Sequence, residues 1–133
     1  MPKQIKGNPG RKPPEPDPDH SAIDRWFGDL MPTMQPIAWA LDAAIRSTLP
    51  DLRYAVKFHR AFYGLPELGW VIEIAVYFKS ANVLFLGGAD FEVPPPLGDV
   101  GRTRYVKVTT VEDARRPELC DWIRMAAGAP GWS

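Results

Sequence analysis

The 133-residue sequence has one cysteine, Cys120, and so cannot form an internal disulfide. It also lacks the charged start and apolar run of a secretory signal, and its apolar stretches are too short and interrupted to span a bilayer. These absences predict a cytoplasmic protein with no membrane partner.

Neither sign of charge is in excess. Sixteen Lys and Arg residues balance sixteen Asp and Glu residues. Nucleic-acid binding usually needs a basic surplus, so the balance argues against such a partner.

Chemical motifs are missing as well. The sequence contains no G-x-S-x-G elbow, no phosphate-binding G-x-x-x-x-G-K-[ST] loop and no H-E-x-x-H helix, and it has only two histidines. The nearest carboxylate group, Asp90, Glu92 and Asp99, lies in a proline-rich stretch and is expected to be a solvated loop. We therefore expect no enzyme, no cofactor and no metal site. Cys120 is expected to be a packed thiol.

What the sequence does have is a long hairpin pattern from Trp70 to Gly88. Val, Ile, Phe and Tyr crowd two runs that flank the polar break Lys79 to Asn82. Arg53 to Phe58 and Arg104 to Val108 alternate with period two and predict further strands. His59 to Pro66 is expected to be a connection, and Ala89 to Gly101, with three consecutive prolines, a long loop.

Helical spacing of apolar residues appears three times. The first predicted helix begins at Ser21 or Asp24 and ends near Leu30, and the second runs from about Met34 to Leu49. A third follows the capping pair Thr110 and Asp113 and ends at Gly128.

Strands grouped between helices predict an α+β fold, in which an antiparallel sheet of about five strands packs against N-terminal and C-terminal helices. Residues 1–20 carry six prolines and almost no large apolar side chain, and are expected to form a disordered arm that can be removed without loss of stability. Residues 21–128 are then one domain, and residues 129–133 a short tail.

Five short passages follow one another along the chain: Leu49-Pro50, Val56 to Phe58, Asn82 to Ala89, Gly101-Arg102 and Arg104 to Val108. Taken in this order, they resemble the bacterial YdhG-like family of unknown function. The resemblance implies a helix–sheet–helix sandwich related in shape to frataxin, and some members of the family are labelled intracellular iron chaperones.

Basic and aromatic residues in two strand regions form the candidate binding site. Its residues are Lys57, His59, Arg102, Arg104 and Tyr105. If the strands are neighbours, these side chains can hold a small anion or an acidic peptide. The sequence thus predicts a small binding or adaptor domain for an anionic ligand or a protein partner, with its oligomeric state open. The alternatives are an iron-handling chaperone, implied by the resemblance, and a small enzyme whose catalytic residues are unrecognised.

Overall fold

The computed structural model describes residues 12–133. Along the chain, two helices precede five strands and two helices follow them. The helices are α1 (Ser21–Asp29), α2 (Gln35–Thr48), α3 (Val111–Ala114) and α4 (Pro117–Ala126), and the strands are β1 (Arg53–Lys57), β2 (Arg60–Leu65), β3 (Gly69–Val76), β4 (Ala81–Phe85) and β5 (Arg104–Val108). Within the described residues, no helix combines the length and the apolarity that crossing a membrane would require.

Each strand pairs antiparallel with the next, so the sheet has the order β1-β2-β3-β4-β5. This arrangement confirms the predicted α+β class with a five-stranded antiparallel sheet. Short turns join β1 to β2, β2 to β3 and β3 to β4, as expected for hairpins. The turn between β1 and β2 and the turn between β3 and β4 therefore lie at the same end of the sheet.

One face of the sheet carries the main hydrophobic core. Tyr63, Ile72 and Phe85 are paired across β2, β3 and β4, and all three are fully buried against the helices. The helices contribute apolar side chains at the spacing that the sequence shows, such as Leu41 and Ile45 of α2. The three- and four-residue periodicity thus predicted the buried helix faces correctly.

The other face of the sheet holds a second, smaller cluster. Phe62, Trp70 and Trp132 pack there in edge-on and tilted ring contacts, with centroids of the Phe62 and Trp70 rings 6.0 Å apart. Glu73 is buried on the same face and binds Arg60. Both faces are therefore covered over part of the sheet.

Strand β2 (Arg60–Leu65) lies where the sequence predicts a connection, so the prediction for His59 to Pro66 is wrong. Five of its six residues are buried, so the strand shows no alternation of apolar and polar residues. A strand that is covered on both faces gives a continuous run instead of a period of two. Gly64 within the strand and Pro66 just after it are residues typical of loops, and they also favoured the prediction of a connection.

The expected disordered arm differs from the structure over residues 12–20. Pro14 is buried, the Trp70 indole donates a hydrogen bond to its carbonyl oxygen (3.0 Å), and the amide of Asp17 donates to the carbonyl of Tyr54 (2.8 Å). The Asp17 carboxylate also accepts from the amide of Val56, so this segment lies along the outer edge of β1. The remainder of the predicted arm, residues 1–11, lies outside the described residues.

The C-terminal residues also belong to the folded unit. Trp132 is buried and pairs through its backbone with Trp70, at 2.8 and 2.9 Å. The predicted tail at 129–133 is thus packed on the sheet. The capping pair is confirmed, since the Thr110 hydroxyl accepts a hydrogen bond from the amide of Asp113.

Candidate functional site

The structure separates the predicted site residues into two groups. Lys57 ends β1 and Arg104 begins β5, which are the two outer strands of the sheet. Four interstrand spacings of about 4.8 Å put them roughly 19 Å apart. Lys57 shares the face of Phe62, whereas Arg104 is paired with Phe85 on the helix-covered face. The expectation that Lys57 and Arg104 line one surface is therefore wrong.

Arg102 and Arg104 hold the long loop in place. Arg102 donates to the carboxylate of Asp90 (3.0 Å) and to the carbonyl of Pro130 (2.7 Å). Arg104 donates to the carbonyls of Gly101 and Thr103, at 3.0 and 2.8 Å. Both guanidinium groups thus have acceptors within the protein, and their contacts are those of a loop anchor.

Tyr105 lines a different feature, a cavity of about 560 Å³ between the loop and the outer part of the sheet. Leu97 closes one side by exchanging backbone hydrogen bonds with Tyr105 (3.0 and 2.9 Å). The Thr103 hydroxyl on the wall is buried and has no partner among the described residues. This cavity has apolar walls and no cation among its lining residues, so it does not suit an anion.

Lys57 precedes, and His59 belongs to, a two-residue turn of unusual conformation. Phe58 and His59 have φ angles of 58° and 62°, in the left-handed region that turns of this type normally give to Asn and Gly. The Trp26 indole donates to the carbonyl of His59 (3.0 Å) and fixes the turn. Left-handed backbone costs about 1–2 kcal/mol for each ordinary residue. The structure therefore keeps two large side chains where smaller ones would be more stable.

The second turn at this end of the sheet, between β3 and β4, exposes similar side chains. Tyr77 is 46% exposed and Phe78 is 69% exposed. The Lys79 ammonium lies 5.7 Å from the centre of the Phe78 ring, just as that of Lys57 lies 5.2 Å from the Phe58 ring. Both distances are within the range of cation–π attraction.

Together the two turns form what we call the turn-end surface. It consists of Lys57, Phe58, His59, Tyr77, Phe78 and Lys79. Two interstrand spacings separate the turns, or about 10 Å. Arg60 joins them from behind, because its guanidinium contacts both Glu73 and the Tyr77 hydroxyl (3.4 Å). A hollow of about 280 Å³ beneath Phe58 contains one acid, Asp29.

A buried carboxylate between the helices and the sheet was missed by sequence reasoning. Asp42 of α2 is 5% exposed and accepts hydrogen bonds from His20 Nε2 (3.0 Å) and from the Tyr63 hydroxyl (2.7 Å). Arg46, one turn along, lies 3.7 Å away. The available signal was position, since Asp42 lies four residues after buried Ala38 and three before buried Ile45, on the apolar stripe of α2.

Asp42, His20, Tyr63 and Arg46 form what we call the Asp42 cluster, in which the pKa of the tyrosine is shifted. Complete burial, followed by the negative charge and the hydrogen bond of Asp42, raises the pKa of the Tyr63 phenol well above its usual value. His20 Nδ1 also faces Asp24, at 3.2 Å. A groove of about 490 Å³ runs past this histidine to Trp39, which is 53% exposed. Because each group already has a partner, the cluster is arranged to hold the chain segment before α1 against α2.

Among residues 12–133, no three His, Cys, Asp or Glu side chains come together as metal ligands would. Asp90, one of the loop carboxylates considered from the sequence, is engaged by Arg102. Cys120 is half-buried in α4.

Comparisons with known proteins add no relative to this description. No family model, no curated protein and no solved structure matches the chain.

Proposed function

We propose that this chain is a small, non-catalytic binding domain of the cytoplasm, and that its turn-end surface captures an acidic segment of a protein partner. The observation that carries the proposal is the strained turn at Phe58 and His59 beside a second turn that exposes Tyr77 and Phe78. Strain that persists at an exposed position points to a functional requirement for those side chains.

The composition of the surface favours a protein ligand. Aromatic side chains are enriched at the centres of protein interfaces, and lysines beside them attract carboxylates. The whole chain has no net charge, but this surface carries Lys57 and Lys79 with no acidic member. A local cationic field of this kind selects an acidic partner without attracting nucleic acid in general.

The shape of the surface favours a peptide over a small anion as the ligand. Sites for small ligands are concave and enclose most of the ligand, whereas two adjacent turns project from the end of the sheet. The hollow beneath Phe58 is lined by Lys57 and His59 but also by Asp29, whose carboxylate offsets the attraction of the lysine for a small anion. An extended acidic peptide lying across both turns suits this geometry better.

The resemblance to the YdhG-like family and the iron-handling alternative that it implies stay predictions. No arrangement of carboxylates in the described residues favours iron over a peptide as the ligand. The single-cysteine composition is compatible with the reducing compartment that the proposal assigns.

The proposal is tested by NMR titration of the ¹⁵N-labelled chain with an eight-residue peptide of Asp, Glu and Leu. We expect shift changes at residues 57–60 and 77–80. Replacing Lys57 and Lys79 by Ala should weaken binding about two- to thirtyfold, since each exposed ion contact contributes about 0.2–1 kcal/mol. Arg115→Ala, at an exposed cation beyond α3, is the matched control and should leave binding unchanged.

A second variant separates the strain from the charge. Phe58→Asn with His59→Gly supplies the residues that this turn favours at both left-handed positions, so the free energy of unfolding should rise by up to about 2–4 kcal/mol while peptide binding weakens. Equal binding of a peptide with Asn and Gln in place of the acids, shifts confined to other surfaces, or unweakened binding by the turn variant would each overturn the proposal. Stronger binding to phosphatidylserine vesicles than to the peptide would assign the surface to a membrane instead.

A further inference from the structure

The opposite end of the sheet holds a proline-rich segment against two tryptophans. Pro13, Pro14 and Pro16 line a cavity of about 220 Å³ together with Trp70 and Trp132. Pro14 is buried, and its carbonyl accepts the hydrogen bond of the Trp70 indole at 3.0 Å. Residues 12–17 form neither helix nor strand. The segment is therefore held by contacts with other parts of the chain: its prolines lie against the tryptophans, and Asp17 hydrogen-bonds to β1.

The tryptophan wall is built independently of the prolines. Trp132 is fixed by two backbone hydrogen bonds to Trp70, and both rings pack against buried Phe62 at centroid distances of 6.0 and 6.2 Å. Trp70 is in β3, and Gly64 of β2 is its paired neighbour. A side chain on Gly64 would collide with the Trp70 ring, at 2.9 Å. Glycine at this position thus lets the indole lie flat across β2.

These features match the chemistry by which proteins bind polyproline II segments. Such a segment has no internal hydrogen bonds, so its carbonyls are available to an indole N–H, and its rings pack on aromatic side chains. We propose that the groove between Trp70 and Trp132 is a binding site for proline-rich peptides, and that residues 13–16 occupy it in cis. The site lies at the other end of the sheet from the turn-end surface and does not depend on its function.

The ligand class can be narrowed by charge. Arg53 lines the same cavity as Glu15, the residue between the second and third prolines. An acidic residue among the prolines therefore suits the site, as in the chain's own Pro-Pro-Glu-Pro sequence. A partner must displace the cis segment, whose effective concentration is about millimolar because a short tether holds it nearby.

The experiment uses the full chain and the synthetic peptide Lys-Pro-Pro-Glu-Pro-Asp-Pro, which repeats residues 12–18. In one variant, Pro13, Pro14 and Pro16 are replaced by Ser to weaken the cis contact. The indole N–H signal of Trp70, assigned from Trp70→Phe, reports occupancy of the groove by NMR. Pro14→Ala replaces the triple variant if the latter loses the signal dispersion of a folded protein.

We expect the peptide to shift the Trp70 indole signal in the triple variant, and to bind the wild type at least about tenfold more weakly because the cis segment competes. Trp70→Phe, added to the triple variant, keeps an aromatic ring and removes the donor, and it should weaken binding as followed by the indole N–H signal of Trp132, which lines the same cavity. A control peptide with Ser for each of the first three Pro residues should also bind more weakly. No shift at millimolar peptide, binding as tight to the wild type as to the variant, or insensitivity to both Trp70→Phe and the Ser peptide would each overturn the assignment.

Discussion

Replacing His20 by Ala tests whether the segment before α1 belongs to the fold. His20 Nε2 lies 3.0 Å from one oxygen of Asp42 and 3.1 Å from the other, and its ring packs edge-on against Tyr54 at 4.9 Å. The variant removes both contacts and leaves the buried Asp42 carboxylate with the Tyr63 hydroxyl as its close donor.

The magnitude follows from these contacts. A buried acceptor that loses a donor costs about 1–3 kcal/mol. The lost ring contact adds about 0.5–1.5 kcal/mol. The two figures sum to about 1.5–4.5 kcal/mol, and water entering the groove beside Trp39 reduces the first, so we expect a loss of about 1–4 kcal/mol in the free energy of unfolding. For a domain of this size that lowers Tm by about 3–15 °C.

Calorimetry and urea unfolding of the two proteins measure this loss directly. Asp24→Ala is the matched control, because Asp24 contacts the same ring from the solvent side at 64% exposure. It should cost no more than about 1 kcal/mol. If His20→Ala changed Tm by less than about 2 °C, the segment would contribute nothing to stability and the reasoning from its contacts would be refuted.

Two further predictions concern single side chains. Tyr63→Phe should lose about 1.5–3 kcal/mol, the value of a hydrogen bond to a charged group. Because the pKa of Tyr63 is raised in the folded state, the wild-type advantage should be constant below about pH 10, the usual tyrosine value, and shrink above it, as urea unfolding at pH 7–11 would show. Thr110→Ala removes the cap of α3 and should lower the free energy of unfolding by about 1 kcal/mol, measured by thermal melts, with the exposed Thr33→Ala as a comparison. An unchanged Tm would contradict the cap.

The sequence was sufficient for elements whose signal is local. The stripe of α2 depends on one buried side, and that is what periodicity records. Alternation also located β1 and β5, although the buried residue of β1 is Ala55, on the side of Arg53 and Lys57. Strand β2 and the packing of residues 12–20 were not predicted, because they depend on contacts with distant parts of the chain. Burial of β2 depends on partners on both of its faces, and the prolines acquire apolar contacts only where Trp70 and Trp132 are brought together.

The prediction that Lys57 and Arg104 share a site was wrong for a different reason. Alternation tells which residues of one strand share a face, but not which strands are neighbours. Three short turns make β1 to β4 a meander, while the loop after β4 is long enough for β5 to pair at either edge. In the structure, Arg102 binds Asp90 and the Pro130 carbonyl, turning the loop back so that Val83 pairs with Val106. Arg102 therefore explains why the predicted site does not form: the contacts that occupy its guanidinium also hold the loop that places β5 at the edge of the sheet opposite Lys57.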